Sequence, residues 1–167
     1  SVLEKKMPIE FSISATSRNP RGIEINGKEY YFLTLEDFKK KIENDEFIEY
    51  EEVYPNTFYG TLKSELYRIW NNGNHIIFDI DVFGGLKIKN KFQEETLTVF
   101  VQPPDIETLE KRLQKRETDN DSSLKERLSK AKLELGTASK FDFIIINDKL
   151  DSSIKETVKK VKKFLSL

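Results

Sequence analysis

The sequence predicts an α/β protein: a parallel sheet flanked by helices, with a small α+β insertion. Three observations predict it. Apolar, β-branched runs recur at wide intervals along the 167 residues. Amphipathic helical patterns lie between those runs. One stretch breaks the rhythm, with short alternating strands around a single helix. Strand and helix in alternation is the pattern of an α/β fold.

Taken in order, Ile9–Ser14 (IEFSIS) reads as a strand. Glu29–Thr34 (EYYFLT), the helical LEDFKKKIEND and Glu46–Leu62 form the insertion, with Pro55 and Asn56 at its turn. His75–Asp81 (HIIFDID), Thr96–Gln102 (TLTVFVQ) and Phe141–Asn147 (FDFIIIN) read as further strands. Their continuous apolar cores suit strands buried on both faces, as in a parallel sheet. Gly84–Phe92 is helical, and Asp105–Arg116 carries Ile106, Leu109 and Leu113 at helical spacing. Ser122–Leu135 is amphipathic, and Asp151–Leu165 closes the chain as a helix with an acidic cap.

Composition narrows the chemistry. A chain of 167 residues is expected to form one domain able to bury a core. With 28 basic and 29 acidic residues the net charge is -1, so no general attraction to a nucleic acid polymer or a membrane is expected. Any anion site must then be a local arginine cluster. There is no cysteine, which excludes thiolate chemistry, and the single histidine, His75, excludes a multi-histidine metal site. No apolar run approaches a membrane span and no signal-peptide pattern is present, so a cytoplasmic protein is the expectation.

The segment Thr16–Leu33 carries the sharpest signal. Arg18 and Arg21 flank Pro20, and guanidinium groups bind phosphate oxygens bidentately. Taken alone, such a pair more often belongs to solvated surface. The surrounding residues change that balance. Thr16, Ser17, Arg18, Arg21, Glu24, Gly27, Tyr30, Phe32 and Leu33 fit T-[ST]-R-x-x-R-x-x-E-x-x-G-x-x-Y-x-F-L. This resembles the signature of guanylate kinases, which phosphorylate GMP. The likeness continues in order through FIEYEEV, YGT, IFDID, QPP, RLQKR and FDFIIINDKLD, and so covers essentially the whole chain.

The resemblance implies a P-loop-kinase-like sheet, a GMP-binding insertion over residues 15–74 and a helical lid over 112–135. It implies that Arg18, Arg21, Tyr30 and Tyr59 bind the GMP phosphate. Guanine offers donors at N1 and its 2-amino group and acceptors at O6 and N7. A carboxylate with hydroxyls suits that edge, and Glu49 and Thr61 resemble those readers, with Ser14 completing the pocket. Adenine inverts the arrangement, which argues against an adenylate kinase. Asp79 and Asp81, two apart on one strand face, would reach the 2-amino group and the reacting phosphates. Taken alone, Asp81 also reads as a strand end meeting solvent. Gly84 and Gly85 would admit close ligand approach.

The resemblance also implies ATP as phosphoryl donor, with Mg²⁺ and no directly assigned metal ligand. Arg112, Arg116 and Arg127 would neutralise charge in the transition state from the lid. Glu117 stands where the family usually has glycine, putting negative charge near anionic phosphates. Asn147 would contact the adenine of ATP, and His75 reads as a strand-start residue without a catalytic part. No G-x-x-x-x-G-K-[ST] loop occurs among the 167 residues. The family places it before the FSIS strand, so the expectation is a loop upstream of Ser1. The other readings are a truncated GMP-binding fragment and a noncatalytic guanylate-kinase-like binding module. The assembly is expected to be a monomer or a homodimer.

Overall fold

The computed structural model describes residues 7–114 and 121–167, without the side chains of 121–126. The chain divides into two compact units, Ser1–Lys91 and Phe92–Leu167.

The first unit holds two sheets. Strands β1 (Ile9–Phe11) and β6 (His75–Ile77) form a parallel pair. The second sheet runs β3-β2-β5-β4, from β2 (Ala15–Thr16), β3 (Tyr31–Phe32), β4 (Phe47–Tyr54) and β5 (Thr57–Leu62). Strand β2 is parallel to β3 and antiparallel to β5, and β4 and β5 form a hairpin. Its turn uses Asn56 at φ 58°, a left-handed conformation that asparagine tolerates better than most residues. The insertion expected from the sequence is this mixed sheet with its helix.

That helix, α1 (Leu35–Glu43), starts at Thr34, whose hydroxyl oxygen accepts from Asp37 N at 3.0 Å. Its Phe38 is fully buried and stacks on Phe47 with ring centroids 4.4 Å apart. Ala15 joins them, with Tyr31, Leu33, Ile42, Phe58 and Leu62 packed around. One sheet face is thus committed to an aromatic core, and the other is left for polar residues.

Helices α2 (Lys63–Asn71) and α3 (Val82–Phe92) complete the unit. Helix α2 was not among the elements expected from the sequence. Its signal is Leu62, Leu66 and Ile69 at helical spacing, and Leu66 and Ile69 are buried.

Strand ends differ from expectation for local reasons. Of the strand expected over 9–14 only β1 forms, and β2 starts beyond it at Ala15; between them Ile13 N donates to the Glu65 carboxylate at 2.9 Å instead of to a neighbouring strand. The strand expected over 75–81 ends at Ile77, where its partner β1 runs out. Asp79 and Asp81 therefore lie beyond the strand.

In the second unit, β7 (Val99–Gln102) and β8 (Phe143–Ile146) form a parallel pair with helices α4 (Ile106–Gln114), α5 (Asp121–Leu135) and α6 (Leu150–Phe164). The pairing stops short of the expected 96–102 and 141–147 spans. At its start the Asp142 carboxylate accepts from both Thr98 N and Thr98 Oγ1 at 2.8 Å, replacing ladder bonds by side-chain bonds. Burial on both faces is not observed. Phe100 and Ile145 are buried, whereas Val101, Ile144 and Ile146 are exposed. Helix α6 begins after Lys149 without a side-chain cap, so Asp151 falls in the first turn. There it complements the helix dipole without capping. No described helix is long and apolar enough to cross a membrane.

Candidate functional site

The polar face of the mixed sheet gathers Arg18, Tyr30, Glu49, Tyr59 and Thr61 of the residues singled out from the sequence. Strand alternation places Tyr59 and Thr61 on one face of β5 and Phe58 and Leu62 on the other, core face. Strand β4 needs a correction to match. Phe47 pairs with Leu62, but Glu49 pairs with Thr61, so two residues of β4 oppose one of β5. This bulge sends Phe47 into the core and Glu49 to the polar face. Without it, both would share one face.

At one end of this face stands Arg18. Its Nη1 and Nη2 donate to the two oxygens of Glu24 at 2.6 and 2.8 Å, and its Nε donates to the Tyr59 hydroxyl at 3.1 Å. Nη1 also donates to Asn19 O at 2.9 Å. The guanidinium carbon lies 4.9 Å from the Tyr30 ring centre and 5.5 Å from that of Phe32. Tyr30 and Tyr59 meet edge to face at 5.9 Å. Only 11% of the Arg18 side chain is exposed, so a charged group is held ready in one conformation.

Glu24 makes this possible. The Arg18 guanidinium, then Arg21 N at 2.7 Å, hold its carboxyl down at about 2. In the sequence Glu24 stands in the motif without an assigned role. Its signal was the need of a half-buried arginine for a counter-charge. Arg21 differs from Arg18: its side chain is exposed and contributes charge toward Glu24. The two arginines are thus unequal, one fixed and one at the rim.

Further along the same face sits Glu49, 6% exposed, with Thr61 fully buried beside it. Thr61 Oγ1 donates to Glu49 Oε1 at 2.7 Å. Burial raises the Glu49 pKa to about 7; the Thr61 bond lowers it and the nearby Asp81 charge raises it further. Asp81 Oδ1 accepts from Gly84 N at 2.8 Å across the first turn of α3. Asp79 is exposed, and its charge acts on Tyr30, whose hydroxyl pKa is raised mainly by burial. Ser14 is half-buried, and its carbonyl accepts from Tyr31 N at 2.9 Å.

Gly84 lies against the Glu49 carboxyl. A Cβ there would lie 2.7 Å from Glu49 Oε2, so the missing side chain makes room for the carboxyl. For the GMP that the sequence resemblance implies, Gly84→Ala is expected to displace Glu49 and to weaken binding by roughly tenfold, about 1.4 kcal/mol. Alanine favours the helix, so the fold should persist. Calorimetry with GMP, beside circular dichroism, measures both. An unchanged dissociation constant would show that the carboxyl moves aside freely.

In the second unit, Arg112 lies in the last turn of α4, and its Nη1 donates to Asn147 O at 2.9 Å. Asn147 N in turn extends the β7–β8 ladder, donating to Gln102 O at 2.7 Å. The structure brings these two predicted residues together. Arg127 is half-buried within α5. Arg116 and Glu117 fall outside the described residues. Among the described residues no group of three histidine, aspartate or glutamate side chains is arranged to hold a metal ion.

The family model described as guanylate kinase matches residues 2–166. The chain is 47% identical over 163 residues to a guanylate kinase of Porphyromonas gingivalis, covering 98% of this chain and 87% of that protein. It is 47% identical over 165 residues to a guanylate kinase of Bacteroides thetaiotaomicron, covering 99% of this chain and 81% of that one. The crystal structure of guanylate kinase from Anaplasma phagocytophilum superposes with a TM-score of 0.75 at 30% identity, covering 95% of this chain and 75% of that one. By that family match and these identities, the chain belongs to the guanylate kinase family.

Proposed function

We propose that this chain binds GMP on the polar face of the mixed sheet and phosphorylates it to GDP with ATP. The observation that carries this reading is the pairing of two preset recognition groups on one face. Arg18 stands at one end, and Glu49 with Thr61 at the other. Arg18, Tyr59, Tyr30 and the rim residue Arg21 take the phosphate. Tyr59 accepts from Arg18, so its own O–H is left to donate. Glu49 accepts from the guanine N1–H and 2-amino group. Thr61, Ser14 and Asp79 complete the reading of the base.

Phosphoryl transfer asks mainly for positioning and for charge neutralisation. A GMP phosphate oxygen bonds to the γ-phosphorus of ATP while the bond from that phosphorus to ADP breaks. Mg²⁺ would come with ATP and would neutralise charge on the transferring phosphates. Asp81 is the carboxylate we assign beside the reacting phosphates. Arg112, Arg116 and Arg127 are assigned to charge neutralisation, and Asn147 to the adenine. The noncatalytic-module reading gains no support, because the relatives from Porphyromonas gingivalis and Bacteroides thetaiotaomicron are both named guanylate kinases.

The test is proton linkage. Glu49 must be ionised to accept from guanine, yet its pKa in the free protein is about 7. Binding GMP at pH 7 should release roughly 0.5 proton, falling below about 0.1 at pH 8.5. The GMP phosphate, with its second pKa near 6, adds only about 0.1 at pH 7. Calorimetry in buffers of different ionisation heat reads this directly. Release that does not change between those pH values would remove Glu49 from the base site.

A further inference from the structure

The two ladders of the first unit meet at one residue. The last bond of the core pair is Ser12 N to Ile77 O at 2.9 Å. The first bond of the mixed sheet is Tyr31 N to Ser14 O at 2.9 Å. Between them stands Ile13, whose N–H belongs to neither sheet. It donates to Glu65 Oε2 at 2.9 Å.

Glu65 lies in the first turn of α2 and is 2% exposed. Its Oε1 also accepts from the Tyr31 hydroxyl at 2.9 Å. Arg68 supplies the counter-charge, with Nε donating to Oε1 and Nη2 to Oε2, both at 2.9 Å. Arg68 further pairs with Glu10 of β1. Burial alone would raise the Glu65 pKa, but the bonds from Arg68, Ile13 N and Tyr31 outweigh it and hold the carboxyl below its ordinary value. A single ionised carboxylate thus joins a helix, the crossover between sheets and strand β3.

What hangs from this joint is the binding face. Ser14 follows Ile13, and β2 then leads to Arg18. Tyr31 is flanked by Tyr30 and Phe32, the two rings against the Arg18 guanidinium. We propose that Glu65 is a positioning residue for GMP: by holding Ile13 N and the Tyr31 hydroxyl together, it sets where Ser14, Arg18 and Tyr30 stand. This rests on the GMP reading above. The chemistry needs a carboxylate specifically, since four donors converge on two oxygens. An amide would turn an NH₂ group toward one pair of those donors.

The experiment is calorimetric titration of GMP into the wild type, Glu65→Gln and Tyr31→Phe, at a temperature where circular dichroism shows each folded. Misplacing binding groups by an ångström costs affinity steeply. Glu65→Gln should weaken GMP binding by roughly tenfold or more, and Tyr31→Phe by roughly threefold. In the active enzyme, KM for GMP should rise while KM for ATP stays unchanged. A merely structural role would lower the melting temperature and leave the GMP dissociation constant of the folded protein unchanged; that result overturns the proposal. Tyr31→Phe loses only one hydroxyl, so it decides the matter if Glu65→Gln does not fold. A wild type that fails to bind GMP would instead overturn the GMP reading, and the role of Glu65 with it.

Discussion

Replacing Arg18 with alanine is expected to weaken GMP binding by on the order of 100- to 1000-fold. Several losses combine. The guanidinium is already fixed in place, between two aromatic rings and a tyrosine hydroxyl. Its removal takes away charge-assisted bonds to phosphate. It also leaves the Glu24 carboxylate without the guanidinium that holds it down at about 2 in the intact pair; back toward the ordinary glutamate value of 4.5, it is still ionised at neutral pH. A bare negative charge would then face an anionic ligand. Arg18→Lys should lose less than alanine but not recover the wild type, because an ammonium cannot bond both Glu24 oxygens in parallel. Calorimetry orders the three proteins. Wild-type affinity in the alanine variant would remove Arg18 from the phosphate site and with it the GMP assignment.

Glu49→Gln should cost on the order of 100-fold in GMP affinity, with the proton release at pH 7 cut to the roughly 0.1 that the GMP phosphate supplies. Glutamine offers one acceptor where guanine presents two donors, and it turns an NH₂ group toward them. The folded protein should gain rather than lose. A carboxyl raised from 4.5 to about 7 means that the folded state binds more protons than the unfolded state between those values. Its contribution to stability therefore falls as pH climbs through that window and levels off above it. Glutamine mimics the protonated acid and has no such slope. The variant's melting temperature should match the wild type near pH 4.5 and exceed it at pH 8. A binding loss beside a gain in stability cannot come from general damage. A variant that is less stable at pH 8 would mean that the buried carboxylate has a cation partner in the folded state.

Much of the site was legible because its residues are close in sequence. Thr16 to Leu33 carries Arg18, Arg21, Glu24 and Tyr30 in one spaced run, and YGT and IFDID are equally local. Helices α1, α4 and α6 were readable from apolar spacing, since a helix face is a local property. Strand ends were less so. Ile13, Ile77 and Thr98 continue a strand pattern in sequence, but their fates depend on Glu65, on the end of β1 and on Asp142. Those partners are tens of residues away.

Residue order alone therefore carried the family, the α/β class and the kinds of group we assign to phosphate and guanine. The tertiary structure alone decided how they are used. A bulge in β4 turned Glu49 from the core face to the polar face. Gly84 proved to be space for a carboxylate. Arg18 took Glu24 as its partner, and Arg21 was left at the rim. Glu65, in a helix not expected from the sequence, became the joint between two sheets. The physical reason is common to the bulge, Gly84 and Glu65. Motifs report which groups are present, but face, burial and counter-charge are set by contacts between segments distant in the chain or by a register shift that no local pattern displays.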